Sequence, residues 1–151
     1  MRPSSGGNVT STEFQALKTT ALSEFGQNYL ADKSGADATN ARLASQDREL
    51  AKEGVNIHRQ GYQQELKSFF QPPDSSASFS FVVVRSANVS QGQKTIKLSE
   101  VNAVSTIYFS GHIILLSVLE SSDGPIGISN AKDVTAKWLS EFRRINQLPK
   151  Q

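Results

Sequence analysis

Catalysis needs a nucleophile, a proton carrier or a metal, and this chain is poor in all three. Its 151 residues include two histidines, His58 and His112, and no cysteine. That removes thiol nucleophiles, disulfides and cysteine-ligated zinc. His58 lies in a polar stretch before Gly61, and His112 follows the Ser110-Gly111 turn, so both read as solvent-facing side chains. No Gly-x-Ser-x-Gly elbow activates a serine. No His-x-x-x-His pair or Asp-x-Asp-x-Asp-Gly loop offers metal ligands. Gly124-Pro125-Ile126-Gly127-Ile128 is apolar and lacks the spacing of a phosphate-binding loop. The acids with any prospect of acting together are Glu100, Glu120 and Asp123, near the ends of expected strands, where a glycosidase-like pair would form. Isolated strand-end acids are more often simply solvated. The expectation is no enzyme, with no catalytic residue, cofactor or metal ligand.

The remaining candidates are surfaces. Sixteen Lys+Arg oppose fourteen Asp+Glu for a net charge of +2, too little and too dispersed for a nucleic-acid face. The nearest approach to a basic cluster is Lys132, Lys137, Arg143, Arg144 and Lys150, a solvated helix face or a docking site for an acidic partner or anionic lipid. Trp138, in helical register with Val134 and Phe142, reads as core rather than a stacking platform. Phe69 and Phe70 are adjacent, so one helix face cannot bury both; closure of the start of the sheet is the expected role.

These residues must be positioned by a small set of elements. Residues 1–9 carry nothing to bury and read as disordered. Thr10-Ser11-Thr12-Glu13 is a capping box, and Phe14, Leu17, Ala21, Phe25 and Tyr29 then recur at helical spacing over 18–20 residues. After Asp32-Lys33-Ser34-Gly35, a helix over 36–53 has only Leu43, Leu50 and some alanines as its apolar stripe, so it belongs at the periphery, ended by Gly54. Tyr62, Leu66, Phe69 and Phe70 suggest a third helix, stopped by Gln71-Pro72-Pro73; 55–62 stays open between helix, strand and loop. A polar linker over 74–77 leads to a strand at 79–85, a turn at Gln91-Gly92-Gln93, a short strand around Ile96 and Leu98, a third at 104–109 and a fourth at 113–119. The last is apolar without alternation, which predicts a central strand covered on both faces. A final helix, capped by Asn130, should bury Val134, Trp138, Phe142 and Ile145, with Leu139 beside them and Leu148-Pro149 ending it. The fold expected is α+β: a three-to-four-stranded antiparallel meander covered by N-terminal helices and one C-terminal helix. It forms a single domain over 10–151, with a helical part at 10–73 and sheet plus helix at 74–148.

Composition then sets the functional expectation. Ser, Thr, Asn and Gln make up 48 residues against 30 charged ones, a surface commoner in exported than in cytosolic proteins. The opening Met1-Arg2-Pro3-Ser4-Ser5-Gly6-Gly7 lacks the apolar core of a secretory signal. Methionine occurs nowhere else, which leaves open both a signal or anchor cut away upstream and a natural unstructured start. No run approaches the ~20 apolar residues of a membrane helix. The reading is a non-catalytic protein-interaction domain, extracytoplasmic or periplasmic, the soluble part of an exported or membrane-anchored envelope protein; a cytoplasmic setting is the alternative. Its partner would be another protein, either a membrane or envelope complex component or an enzyme masked by an inhibitor, immunity or chaperone protein. No nucleic acid is expected, membrane proximity would come through a segment outside this chain, and the oligomeric state stays open. The candidate partner surface is Arg42 and Arg48 on the thin-striped helix with Lys137, Arg143 and Arg144 on the last.

Overall fold

The structure, a computed structural model, describes residues 8–31, 33–70, 76–121 and 124–146. Three helices, α1 (Ser11–Leu22), α2 (Glu24–Leu30) and α3 (Lys33–Lys52), precede four strands. The strands are β1 (His58–Phe70), β2 (Ser78–Gln91), β3 (Lys94–Phe109) and β4 (His112–Glu120), and α4 (Pro125–Ile145) closes the chain. The strands form one antiparallel sheet in the order β1-β2-β3-β4, so the chain is an α+β fold with a four-stranded meander.

One face of the sheet is packed by α4. Val82, Val101, Ala103 and Ala131 form its buried centre, with Phe70, Val84, Val118 and Ile128 around them. The helix line against the sheet is Gly127, Ala131, Thr135 and Leu139. These residues are mostly small, and three buried hydroxyls at this layer are bonded: Ser80 and Ser105 share a hydrogen bond at 2.6 Å, and Thr135 Oγ1 donates to the Ala131 carbonyl at 2.7 Å. Leu139 is buried as expected, but the rest of the expected buried line shifts to smaller residues. Phe142 does meet Phe109 edge-on, at 5.5 Å, but Trp138 is 60% exposed and Ile145 is exposed too. The small residues let α4 lie close to the sheet, and their low apolarity hid them from a search for large side chains. The helix also starts earlier than Asn130: Gly124 is its N-cap and Pro125 its first residue, with φ already preset for a helix.

The opposite face carries the N-terminal helices. The capping box forms as expected, with Thr10 Oγ1 accepting from the Glu13 amide and Glu13 returning to the Thr10 amide. Phe14 is fully buried between Phe79 and Tyr108, at 6.1 and 5.5 Å between ring centres. The single long helix expected here is broken at Ser23, whose hydroxyl donates to the Thr20 carbonyl and accepts from the Gly26 amide. The break turns α2 out of phase, so Phe25 and Tyr29 are each 72% exposed instead of continuing the buried stripe.

The helix expected over 62–70 is a strand instead. Its burial alternates along 61–66, with Tyr62, Gln64 and Leu66 turned inward. A register shift between Leu66 and Ser68 then moves the alternation by one. That resolves the adjacent phenylalanines, because neighbouring strand residues point to opposite faces: Phe69 meets Phe81 at 6.1 Å, and Phe70 joins the core under α4. Residues 55–57 lie between α3 and β1 and form no strand. The expected strands at 96–98 and 104–109 are one, β3, with Val101, Asn102 and Ala103 buried in its middle. The strand at 113–119 is not central: β4 is an edge, paired only with β3. Gln71-Pro72-Pro73, Asp74 and Ser75 of the expected linker, and Leu148-Pro149 lie outside the described residues. So do residues 1–7 of the expected disordered start, although Val9 donates its amide to the Gly111 carbonyl at 2.8 Å.

Polar contacts hold α3 to β1. The helix ends as expected at Gly54, whose φ of +86° permits the 3.1 Å bond from its amide to Ala51 and the 2.9 Å bond from Val55 to Leu50. Asn40 Oδ1 accepts from the Tyr62 amide at 2.8 Å while its Nδ2 donates to the Tyr62 carbonyl at 3.3 Å. The side-chain amide thus pairs with the strand backbone where Gly61, at φ +65°, bulges β1. Seven residues on, buried Asp47 accepts from the Arg59 amide at 2.6 Å and from its guanidinium at 2.7 and 2.6 Å. Burial opposes ionisation of Asp47, but the bonds from Arg59 outweigh it and hold the carboxyl below its ordinary value. Asp47→Ala should therefore cost about 2 kcal/mol at neutral pH. A folded-state pKa below the unfolded one gives stability that is complete above about pH 4 and lost as pH falls through the depressed range. Thermal melts of both proteins should therefore differ at pH 7 and converge as pH falls below that point.

Candidate functional site

Each side chain that sequence reasoning singled out has a definite place. His58 is exposed at the start of β1, its Nε2 3.1 Å from Gln60 Oε1. His112 is exposed at the start of β4, beside the opposite end of the sheet, so the two histidines share no site. Glu100 and Glu120 do reach one rim, lining the same hollow. Glu100 faces Arg85 across the strands at 3.6 Å; Asp123 lies outside the described residues. Among the described residues no three His, Asp or Glu side chains gather as a metal site.

The basic candidates divide between two faces. Arg42 and Arg48 are exposed on α3, which lies along β1 on the face opposite α4. Lys137 is exposed on α4, Arg143 is half-buried with its pKa drawn down by burial, and Arg144 pairs with Glu141 one turn away. Lys132 leans over the Phe70 ring, 5.7 Å from its centre, and Lys150 lies outside the described residues. The five positively charged candidates therefore do not make one surface.

What sequence reasoning missed is the face that the N-terminal helices leave uncovered. Of these helices α3 lies along β1 and α1 covers β2 and β3 where Phe14 meets Phe79 and Tyr108, while Leu98, Leu115 and Leu119 on the same face stay exposed. Two hollows result. One, of about 660 Å³, has Leu43, Val89, Leu98 and Leu119 among its apolar walls, with Arg59, Arg85, Glu100 and Glu120 among its polar groups. The other, of about 310 Å³, lies between α1–α2 and the sheet and is lined by Phe25, Tyr29, Phe81 and Leu115. Ile113, Leu115 and Leu119 alternate along β4 on this face, the first two in the smaller hollow and Leu119 in the larger; Leu115 is 69% exposed. Between them Ser117 Oγ donates to Asn102 Oδ1 at 2.6 Å, which satisfies the buried amide oxygen. The Arg85 Nε donates to Gln64 Oε1 at 3.1 Å, and Gln64 Nε2 donates to the Leu30 carbonyl at 2.6 Å, tying the floor to the end of α2. The signal was present in the sequence: the unalternating Ile113–Leu119 run supplies more apolar side chains than an edge strand can bury. It was read as a central strand.

This is an α+β domain with an apolar trough on its sheet. Comparison with family models, characterised proteins and solved structures finds no match. No described helix is long and apolar enough to cross a membrane.

The trough residues should be nearly silent in stability. Leu98→Ser and Leu115→Ser are expected to change unfolding free energy by no more than about 0.5 kcal/mol. Val82→Ala, on the packed face, should cost about 2 kcal/mol. Urea titrations of the three variants check the contrast.

Proposed function

We propose that the domain is a non-catalytic protein-binding module whose open sheet face receives an amphipathic helix of a partner protein. The observation that carries this reading is the row of exposed Ile113, Leu115 and Leu119 along β4, with a hollow at each end. Ile113 to Leu119 alone spans roughly 20 Å of strand, longer than a metabolite needs and matched by a helix of roughly thirteen residues. An apolar floor with polar groups at the rim is how grooves take the apolar face of a helix. The polar, weakly charged surface supports an exported setting, with a membrane or envelope complex component as partner. An enzyme masked by this domain would use the same trough, and the captured protein's identity separates the two.

The test is capture of a partner from soluble and membrane extracts of the native cell at moderate salt, followed by binding of its helical fragments to purified variants. Leu98→Asp should weaken binding at least tenfold, while Arg42→Glu and Arg48→Glu leave it unchanged. Loss with the arginine variants alone would move the interface to the outer face of α3. A metabolite that raises the melting temperature and is blocked by Leu98→Asp, with no protein captured, would replace this reading with a small-ligand pocket filling the 660 Å³ hollow.

A further inference from the structure

Among the described residues nothing pairs with the outer edge of β4, a second surface distinct from the trough. An edge strand is normally guarded by Lys, Pro, a bulge or a covering element, since its free amides and carbonyls invite another strand. His112–Glu120 has no Lys, no Pro and no register shift along its pairing with β3. Phe109 and His112 close a two-residue turn and form a hydrogen-bonded pair. By the antiparallel alternation, the backbone groups of residues 112, 114, 116, 118 and 120 then bond to β3, and those of 113, 115, 117 and 119 point outward.

We propose that this edge pairs with the β4 of a second copy of the chain, antiparallel about a two-fold axis at Leu116. Three independent features fit a second copy. The first is charge. With Leu116 opposite itself, all nine residues of β4 are paired, and His112 falls opposite Glu120 at both ends of the seam; Ile113 meets Leu119, and Ile114 meets Val118. A strand that is its own complement is what an isologous contact requires. The second is backbone parity. This register places outward-pointing 113 against 119 and 115 against 117, so the free amides and carbonyls meet one another.

The third feature is α4. It packs over both β3 and β4, so its copy in an eight-stranded sheet lies two strand spacings away, roughly 10 Å. That is the distance at which helices pack, about 8–10 Å. Lys132 reaches toward β1 over Phe70. At 100° per residue Trp138 lies on the other flank of α4, with Val134 and Ile145. The 60% exposed Trp138 and the exposed Ile145 therefore flank the open edge and would face their counterparts across the axis. One contact accounts for the unguarded strand and the exposed tryptophan. The two troughs stay open, side by side on the other face.

Sedimentation velocity and tryptophan emission from micromolar to submillimolar concentration test the association. The expected result is a doubling of the 16.4 kDa chain mass, with emission from Trp138, the sole tryptophan, moving to shorter wavelength over the same range. His112→Glu should weaken the dimer, and the double variant His112→Glu with Glu120→Lys should restore it. Because the chain has no cysteine, a single substitution gives one thiol. Across the axis the Leu116 Cα atoms come about 4.5 Å apart, within disulfide range. Leu116→Cys should then cross-link on mild oxidation, and Ser117→Cys, which faces Leu115 of the other copy, should not. A monomer at every concentration overturns the proposal, as would be seen if β4 instead received a strand from a different protein. A dimer that cross-links through Ser117→Cys, or that ignores the charge swap, overturns the register.

Discussion

The placement of α3 on β1 is the constraint on which the open face depends. A twenty-residue helix whose large apolar residues number two, Leu43 and Leu50, gains little from burial and needs another reason to stay. It has two: the Asn40 amide, which completes the backbone pairing of Tyr62 at the bulge, and the Asp47 carboxylate, which closes on Arg59. Both are buried or half-buried, so each loses more when broken than a surface contact would. Because these bonds tie the helix to the sheet margin, α3 does not slide across β3 and β4. The trough is the space left by that restraint.

Much of the architecture could be read from residue types, and the errors share a cause. The capping box at Thr10, the Gly54 helix end and the turns at Gly92 and Ser110-Gly111 rest on backbone chemistry that is local, and all are found. The errors come where an apolar period is compatible with two structures. Tyr62, Leu66 and Phe69 satisfy a helical repeat, and satisfy a strand equally once a bulge shifts its alternation. Phe25 and Tyr29 continue the spacing of Phe14 through a break that Ser23 makes with its side chain. Trp138 outweighs Ala131 and Thr135 in any search for bulk, yet the close approach of α4 selects the small residues. Spacing reports how side chains recur, not which tertiary surface they meet.

The candidate site was less legible. That the histidines stand apart follows from their positions beside different turns, but the trough depends on where three helices come to rest, which no single motif encodes. Arg42, Arg48, Lys137, Arg143 and Arg144 looked comparable in the chain and fall on opposite sides of the sheet. The apolar run in β4 is the strongest clue, and it means the reverse of the deep burial it predicts: the surplus marks surface left for something else.

The sheet's order also has a kinetic consequence. Every strand pairs with its neighbour in sequence, and β2–β3 and β3–β4 are joined by two-residue turns. Each hairpin closes a short loop, so little chain entropy is spent before contacts form, and assembly is expected to be fast for a sheet of this size. During synthesis β1, β2 and β3 emerge first. Until β4 and α4 leave the ribosome, β3 is the exposed edge, with its core residues Val101 and Ala103 uncovered. The polar hydroxyls and amides along that strand, Ser99, Asn102, Ser105 and Thr106, keep the unfinished sheet less sticky than a continuous valine or isoleucine edge would be.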